Sequence, residues 1–426
     1  MRRPTSASTL LPHRQMPAGA IRMAWGVADQ AASSLTNVIV GVLVARTLGP
    51  AGFGAFSIAF ATYLIALSMS RGMSSDPLMV RFSDVDPAIW KRAVRGSTGT
   101  ALAIGVLAGS ACAVVATAVG GPTRPALLAL GITLPGLLLQ DSWRFAFFSQ
   151  GRPALALAND VVWAVALVAL LWLVAVSGSS SQFLFMLAWG GSATIAALVG
   201  GAQARLVPRL SAARMWVREN RHLCFRYVVE NLSTVSGTQL RFYGLAAIVG
   251  LAGVGAMRAA ELLLGPVLVV ILGMGMMAVP EMVRLLRTST SRALQLSLLV
   301  SALGTVSAVL WGTLVLLLPD NLGQRILGTS WDAAAVLILP TTVVVTATAV
   351  QIGAWAGVRG LAAASRSLLS QCVGSTAYIV GALTGGAWAG TLGAAWGTAA
   401  AAIFAAGFWW WQFRLGLRDR LESTPR

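Results

Sequence analysis

The sequence predicts an all-α polytopic membrane protein: twelve transmembrane helices forming two six-helix bundles around a central cavity. Three observations carry this. The 426-residue chain is 57% hydrophobic and only 11% charged, against about 25% charged residues in an average soluble domain. A soluble protein of this length could not hide so much apolar surface in one core. Second, twelve apolar stretches reach the roughly 20 residues that a bilayer crossing needs. Third, one half of the chain repeats the other.

The twelve spans fall at about 23–45, 53–75, 96–119, 126–148, 154–177, 183–205, 223–248, 254–279, 293–318, 333–356, 361–384 and 388–412. The basic residues between them alternate in side. Twenty-four fall on one side, six of them between Arg205 and Arg226, and only Arg46, Arg124 and Arg325 fall on the other. The positive-inside rule then places both termini of this multi-pass chain in the cytoplasm. The net charge of +17 is thereby assigned to the bilayer surface and not to nucleic acid.

The repeat is sharpest at Leu48-Gly49-Pro50-Ala51-Gly52-Phe53-Gly54-Ala55 and Val249-Gly250-Leu251-Ala252-Gly253-Val254-Gly255-Ala256, where five of eight positions are identical at an offset of 201. Upstream, Asp29, Ser33 and Asn37 fall opposite Glu230, Thr234 and Thr238. Downstream, Pro77-Leu78-Met79-Val80-Arg81 meets Pro280-Glu281-Met282-Val283-Arg284. The expected units are a disordered tail 1–20, bundles 21–205 and 223–415, a basic linker 206–222 and a tail 416–426. Six spans per half imply a pseudo-two-fold axis along the membrane normal, and such duplication in an apolar chain points to a transporter. Leu134-Pro135 and Leu339-Pro340 predict matching mid-span kinks beside the cavity. Glycines between 381 and 397 are expected to pack spans 11 and 12 closely. Phe408-Trp409-Trp410-Trp411 reads as an interfacial belt.

Polar groups within the spans mark the site, because a charge in hydrocarbon costs at least about 2.5–3.5 kcal/mol. Asp29, Ser33 and Asn37 share one helix face at i, i+4 and i+8, and Glu230, Thr234 and Thr238 repeat that stripe. Asp29 and Glu230 are the candidate ion-coupling groups; alternatively they are acids at helix starts, favoured by the helix dipole. Arg241 lies about 22 Å into its span, too deep to snorkel. Arg258 and Glu261 sit one turn apart in span 8. Glu261 can pair with Arg241, yet the balance stays positive, and a free guanidinium suits phosphate. Arg46 closes span 1. Arg71 and Arg144 are expected to snorkel, although Asp141 or Asp160 offers Arg144 a partner. Candidate substrate-binding residues are thus Arg46, Asn37, Thr238, Arg241 and Arg258.

Cys112, Cys224 and Cys372 read as small buried hydrophobes. Two histidines, His13 and His222, make no metal cluster, and no Walker loop occurs, so neither a cofactor nor a metal is expected.

The stretches Asp29-Gln30-Ala31-Ala32-Ser33-Ser34-Leu35-Thr36-Asn37 and Ala45-Arg46-Thr47-Leu48-Gly49-Pro50-Ala51-Gly52-Phe53-Gly54-Ala55-Phe56-Ser57, with Phe148-Ser149-Gln150-Gly151-Arg152-Pro153 later, resemble the start of Wzx-type oligosaccharide flippases. These polysaccharide-biosynthesis exporters share a superfamily with lipid II flippases and multidrug extruders. The resemblance implies two bundles around a cavity that moves an isoprenoid-diphosphate-linked oligosaccharide between leaflets, with cationic residues taking the diphosphate. It implies no enzyme activity, a monomer among membrane lipids, and glycan polymerases or glycosyltransferases as partners. The rival readings are an ion-coupled drug or cation antiporter, a membrane glycan-assembly enzyme, and a scaffold in an envelope assembly.

Overall fold

The computed structural model describes the backbone of residues 18–83 and 85–423, and the side chains of 39–421 apart from 84, 233, 234, 236 and 238. The expected tail 1–20 lies almost wholly outside these residues. Among the described residues every regular element is helical.

The first two spans form one long element, α1 (Ala18–Ser70), broken at Gly49, whose φ is 66°. A π-helical turn, Arg71–Ser75, and α2 (Asp76–Arg81) continue it. Then come α3 (Pro87–Ala118), α4 (Thr123–Ser149), α5 (Pro153–Val176) and α6 (Gln182–Ala204). Asp86 caps α3 by accepting from the Ala88 amide at 2.8 Å, with Pro87 in the first turn. The linker folds as α7 (Leu210–Glu219). The second half holds α8 (Arg221–Ile248), α9 (Gly250–Thr288), α10 (Thr290–Leu316), α11 (Asp320–Leu327), α12 (Trp331–Ala335), α13 (Ile338–Gly360) and α14 (Ala364–Ser423). α14 contains spans 11 and 12, joined through Ala389 and Gly390. It stays helical to Ser423, past the expected bundle boundary at 415.

Nine of the described helices are long and apolar enough to cross a membrane. The breaks in α1 and α14 make two crossings of each, and the 28-residue α8 has the length but carries too many polar groups to stand out by hydropathy. Twelve crossings result. α3 packs on α4, and α4 and α5 on α6, which builds the N-lobe; α9, α10, α13 and α14 pack in turn, with α8 on α14, to build the C-lobe.

The repeated glycines explain the repeat. Gly49 and Gly250 both take a left-handed conformation, φ 66° and 74°, where glycine is unstrained. Five residues later, Gly54 and Gly255 join the lobes. A Cβ on Gly54 would lie 1.9 Å from the Leu251 carbonyl oxygen; one on Gly255 would lie 1.9 Å from that of Pro50. Pro50 and Leu251 occupy equivalent positions in the two copies. Each lobe therefore offers the same patch to the other, as a two-fold contact requires. Spans 11 and 12 meet in the same manner, with Gly381 against Gly397 and Gly385 against Gly393.

The end of the lobes that carries most arginines has its own contacts. Gly72, in the π-turn, lies against the backbone of Tyr227 and Val228. Asn231 Nδ2 donates to Asp76 Oδ2 at 2.7 Å. The π-turn shifts the regular bonding pattern, and its carbonyls are met from outside. Trp216 Nε1 and Cys224 Sγ donate to the Met73 oxygen at 3.0 and 3.4 Å, and Ser97 Oγ donates to that of Ser74.

Three expectations are corrected. The two Leu-Pro steps do not make matching kinks. Pro135 sits inside a continuous α4, closely packed on Gly105, whereas Pro340 lies in the first turn of α13, where a missing amide leaves no bond unmade. Cys372 is exposed, while Cys112 and Cys224 are buried. The aromatic run is not all belt: Trp411 is exposed, but Trp409 turns inward and is buried.

Candidate functional site

A cavity of about 640 Å³ lies beside the lobe interface, bounded by α1, α8, α9, α13 and α14. Among the described residues, the first half contributes Gly41, Phe53, Phe56, Ser57 and Phe60 and the second half the rest. Most of its wall is apolar, and among the described residues it carries three charged side chains.

Arg241, on α8, is 6% exposed. Its Nη2 donates to Glu261 Oε1 at 2.7 Å. Arg258, one turn before Glu261 on α9, donates from Nη1 to Glu261 Oε2 at 3.0 Å. The ring of Phe242 lies under both guanidinium groups, 4.7 and 5.2 Å from their carbons. Two cations thus share one carboxylate. The buried Nε of Arg241 has no acceptor among the described residues. A buried donor without a partner costs about 1–3 kcal/mol, and more when charged. A site of this kind, with surplus positive charge in a largely apolar wall, favours an anion that also accepts hydrogen bonds. Neutral polar groups line the cavity too, among them Thr348, Gln351, Gln371 and Tyr378.

The structure therefore brings together Arg241, Arg258 and Glu261 of the residues singled out from sequence. Arg46 is elsewhere. It is exposed, in the last turn before the break at Gly49, and its carbonyl packs on Gly328. The glycine break ends the first crossing there, which holds Arg46 at that crossing's far end. The side chains of Asp29, Asn37 and Thr238 lie outside the described residues, though Gly237 and Gln239 both line the cavity. Glu230 is exposed, nearly three turns from Arg241 toward the arginine-rich end.

A second charged cluster, in the N-lobe, corrects the expectation that Arg71 and Arg144 snorkel. Arg71 clasps Asp141 with Nε at 2.9 Å and Nη2 at 2.6 Å. Arg144 Nε lies 3.2 Å from Asp160 Oδ2 and its Nη1 3.6 Å from Asp141 Oδ1. Gln140 Nε2 donates to Asp160 Oδ1 at 2.8 Å. Asp141, Arg144 and Asp160 are buried. Charges pair here because hydrocarbon would leave each one uncompensated. Two cations and two anions balance, so this cluster ties α4 to α5 and to the end of α1 and attracts no net charge.

Sequence reasoning missed Trp409, Thr348 and the other cavity residues of α13 and α14. Their spans look uniformly apolar, and only the inward turn of one helix face reveals them.

No protein-family model matches the chain, and no curated protein matches it. Solved structures do. An inward-facing multidrug resistance MATE family transporter of the MOP superfamily is similar with a TM-score of 0.72 at 13% identity, over 92% of this chain and 96% of that one. The lipid II flippase MurJ in an inward closed conformation is similar with a TM-score of 0.66 at 11% identity, over 95% and 88%. A MOP superfamily transporter from Pyrococcus furiosus, described as having a binding pocket of reverse polarity that suggests a different function, is similar with a TM-score of 0.56 at 15% identity, over 96% of each chain. This multi-pass membrane protein has the two-lobed, twelve-helix fold of the MOP superfamily transporters.

Proposed function

We propose that the chain is a flippase that carries an isoprenoid-diphosphate-linked oligosaccharide across the bacterial inner membrane, for cell-surface polysaccharide synthesis. One observation carries the reading: among the described residues, Arg241 is buried at the cavity wall with an unmet Nε, beside Arg258, and a single Glu261 offsets the two. A diphosphate supplies the acceptors and the negative charge that this arrangement lacks. The volume, about 640 Å³, lies in the range of sites that enclose a head group. The sugar meets the neutral polar wall, with Asn37 and Thr238 as further contacts, while the lipid tail stays in the bilayer. Rocking of the lobes about the Gly54–Gly255 seam exposes the head group on the far side. The arginine-rich end faces the cytoplasm, with both termini there. Asp29 and Glu230 are the groups proposed to couple an ion gradient to this motion. The protein acts as a monomer, next to the glycosyltransferases and polymerase that make and use its substrate.

A cation or drug antiporter of the same fold is the second reading. It needs a surplus of carboxylates in the cavity, and among the described residues the ratio is one carboxylate to two guanidinium groups. The test is reconstitution in proteoliposomes with a fluorescent isoprenoid-diphosphate-linked sugar. Transfer between leaflets is expected, and it slows sharply in Arg241→Gln. Transfer of organic cations with none of the diphosphate lipid would overturn the proposal.

A further inference from the structure

We infer that the linker helix α7 is a docking surface for anionic phospholipid head groups. This is independent of the transported substrate. α7 joins α6, which ends at Ala204, to α8, which begins at Arg221. Both are spans, so the linker lies at the bilayer surface, on the arginine-rich side.

The helix is not a slack connection. Trp216 is buried, and its indole donates to the Met73 carbonyl at 3.0 Å. The Arg209 amide donates to the Arg95 carbonyl at 3.2 Å. Two glycines of α3 make the seat. A Cβ on Gly99 would lie 2.2 Å from the Arg209 oxygen, and one on Gly96 would lie 3.2 Å from the Trp216 ring. Seating one face fixes the other. Arg214 and Arg218, one turn apart, are exposed on the outward face, flanked by exposed Leu210 and Met215. Arg205, Val207 and Arg209 lead into it, and all three are exposed. Among the described residues, none of these arginines has an ion-pair partner in the protein.

Exposed cations interleaved with apolar side chains on one rigid helical face are what an interfacial helix presents to lipid. The apolar groups enter the head-group boundary and the guanidinium groups meet the phosphates. Neutral zwitterionic head groups lack the net charge to match. The occupant is therefore an anionic phospholipid such as phosphatidylglycerol.

Full-length protein in a delipidating detergent is titrated with phosphatidylglycerol or phosphatidylcholine, following retained lipid and the midpoint of thermal unfolding. Phosphatidylglycerol is expected to stay bound and raise the midpoint; phosphatidylcholine is not. Each arginine contributes about fivefold to apparent affinity, so Arg209→Gln with Arg214→Gln and Arg218→Gln lowers it about a hundredfold. Leu210→Ser with Met215→Ser weakens binding while leaving every charge in place. The control is Arg284→Gln with Arg287→Gln and Arg292→Gln, three arginines at the same end of the molecule but off the linker, and it leaves the affinity unchanged. An equal loss in that control, or the same midpoint shift from inorganic phosphate, would overturn the assignment.

Discussion

Replacing Gly54 with alanine tests the seam between the lobes. The new Cβ would lie 1.9 Å from the Leu251 oxygen, 2.7 Å from its carbon and 3.2 Å from the Gly255 nitrogen. All three are backbone atoms, so no side-chain rotation relieves the contact. Ordinary contact begins at 3.4 Å, so α1 and α9 must part by about 1.5 Å. Overpacking of this kind costs about 1–3 kcal/mol, a fivefold to 150-fold shift in population. Alanine recovers about 0.5–1 kcal/mol in helix propensity, which tempers the loss of overall stability but not the loss of the closed seam. The readout is the distance between spin labels at Ala51→Cys and Ala252→Cys, equivalent exposed positions in the two repeats, in a background without the native cysteines. Gly54→Ala is expected to lengthen that distance or broaden its distribution. Gly273→Ala, where a Cβ meets nothing within 4 Å, leaves it unchanged. An unaltered distance in Gly54→Ala would refute a seam built on bare backbone.

Three further outcomes follow from particular contacts. Asp141→Asn leaves Arg71 and Arg144 facing one carboxylate too few, and thermal unfolding of the purified protein should show a loss of about 3–5 kcal/mol. Gly49→Ala and Gly250→Ala force a side chain into the left-handed region at φ 66° and 74°; each costs about 1–2 kcal/mol, visible in the same melting experiment. Exchanging Arg241 and Glu261 (Arg241→Glu with Glu261→Arg) keeps that pair but moves the cation and costs Arg258 its carboxylate, one turn away on α9. The unfolding temperature falls by that one lost pair, while lipid-linked sugar transfer falls at least tenfold.

Much of the fold was legible because hydropathy and charge report directly on the bilayer. The repeat at 48–55 and 249–256 points to two equivalent halves, but nothing in it marks Gly54 and Gly255 as the contact between them. α8 carries many polar groups, yet the sequence still shows it among the twelve apolar stretches, at 223–248. What the sequence hid depends on which face of a helix turns inward. Trp409 sits in an aromatic run that suits a membrane boundary equally well, and only packing against α13 separates it from Trp411. Arg71 and Arg144 are close enough to span ends to snorkel; Asp141 and Asp160 were legible as partners for Arg144, but nothing in the sequence tied Arg71 to Asp141 on another helix. The seat of α7 was invisible for a similar reason, since Gly96 and Gly99 read as packing glycines of a span. For the candidate site, the charged core of Arg241, Arg258 and Glu261 was recognisable as ions too deep for solvent. Arg46 was not separable from them, because depth alone does not say on which side of a helix break a residue falls.

Calorimetric binding of a short-chain isoprenyl diphosphate to the purified wild type and to Arg241→Gln probes the charged cavity most directly. The wild type binds, and the variant binds about 10-fold to 150-fold more weakly, as expected for one lost hydrogen-bonded charge. Equal affinity in the two proteins, or tighter binding of an organic cation than of the diphosphate, would contradict an anion site at Arg241.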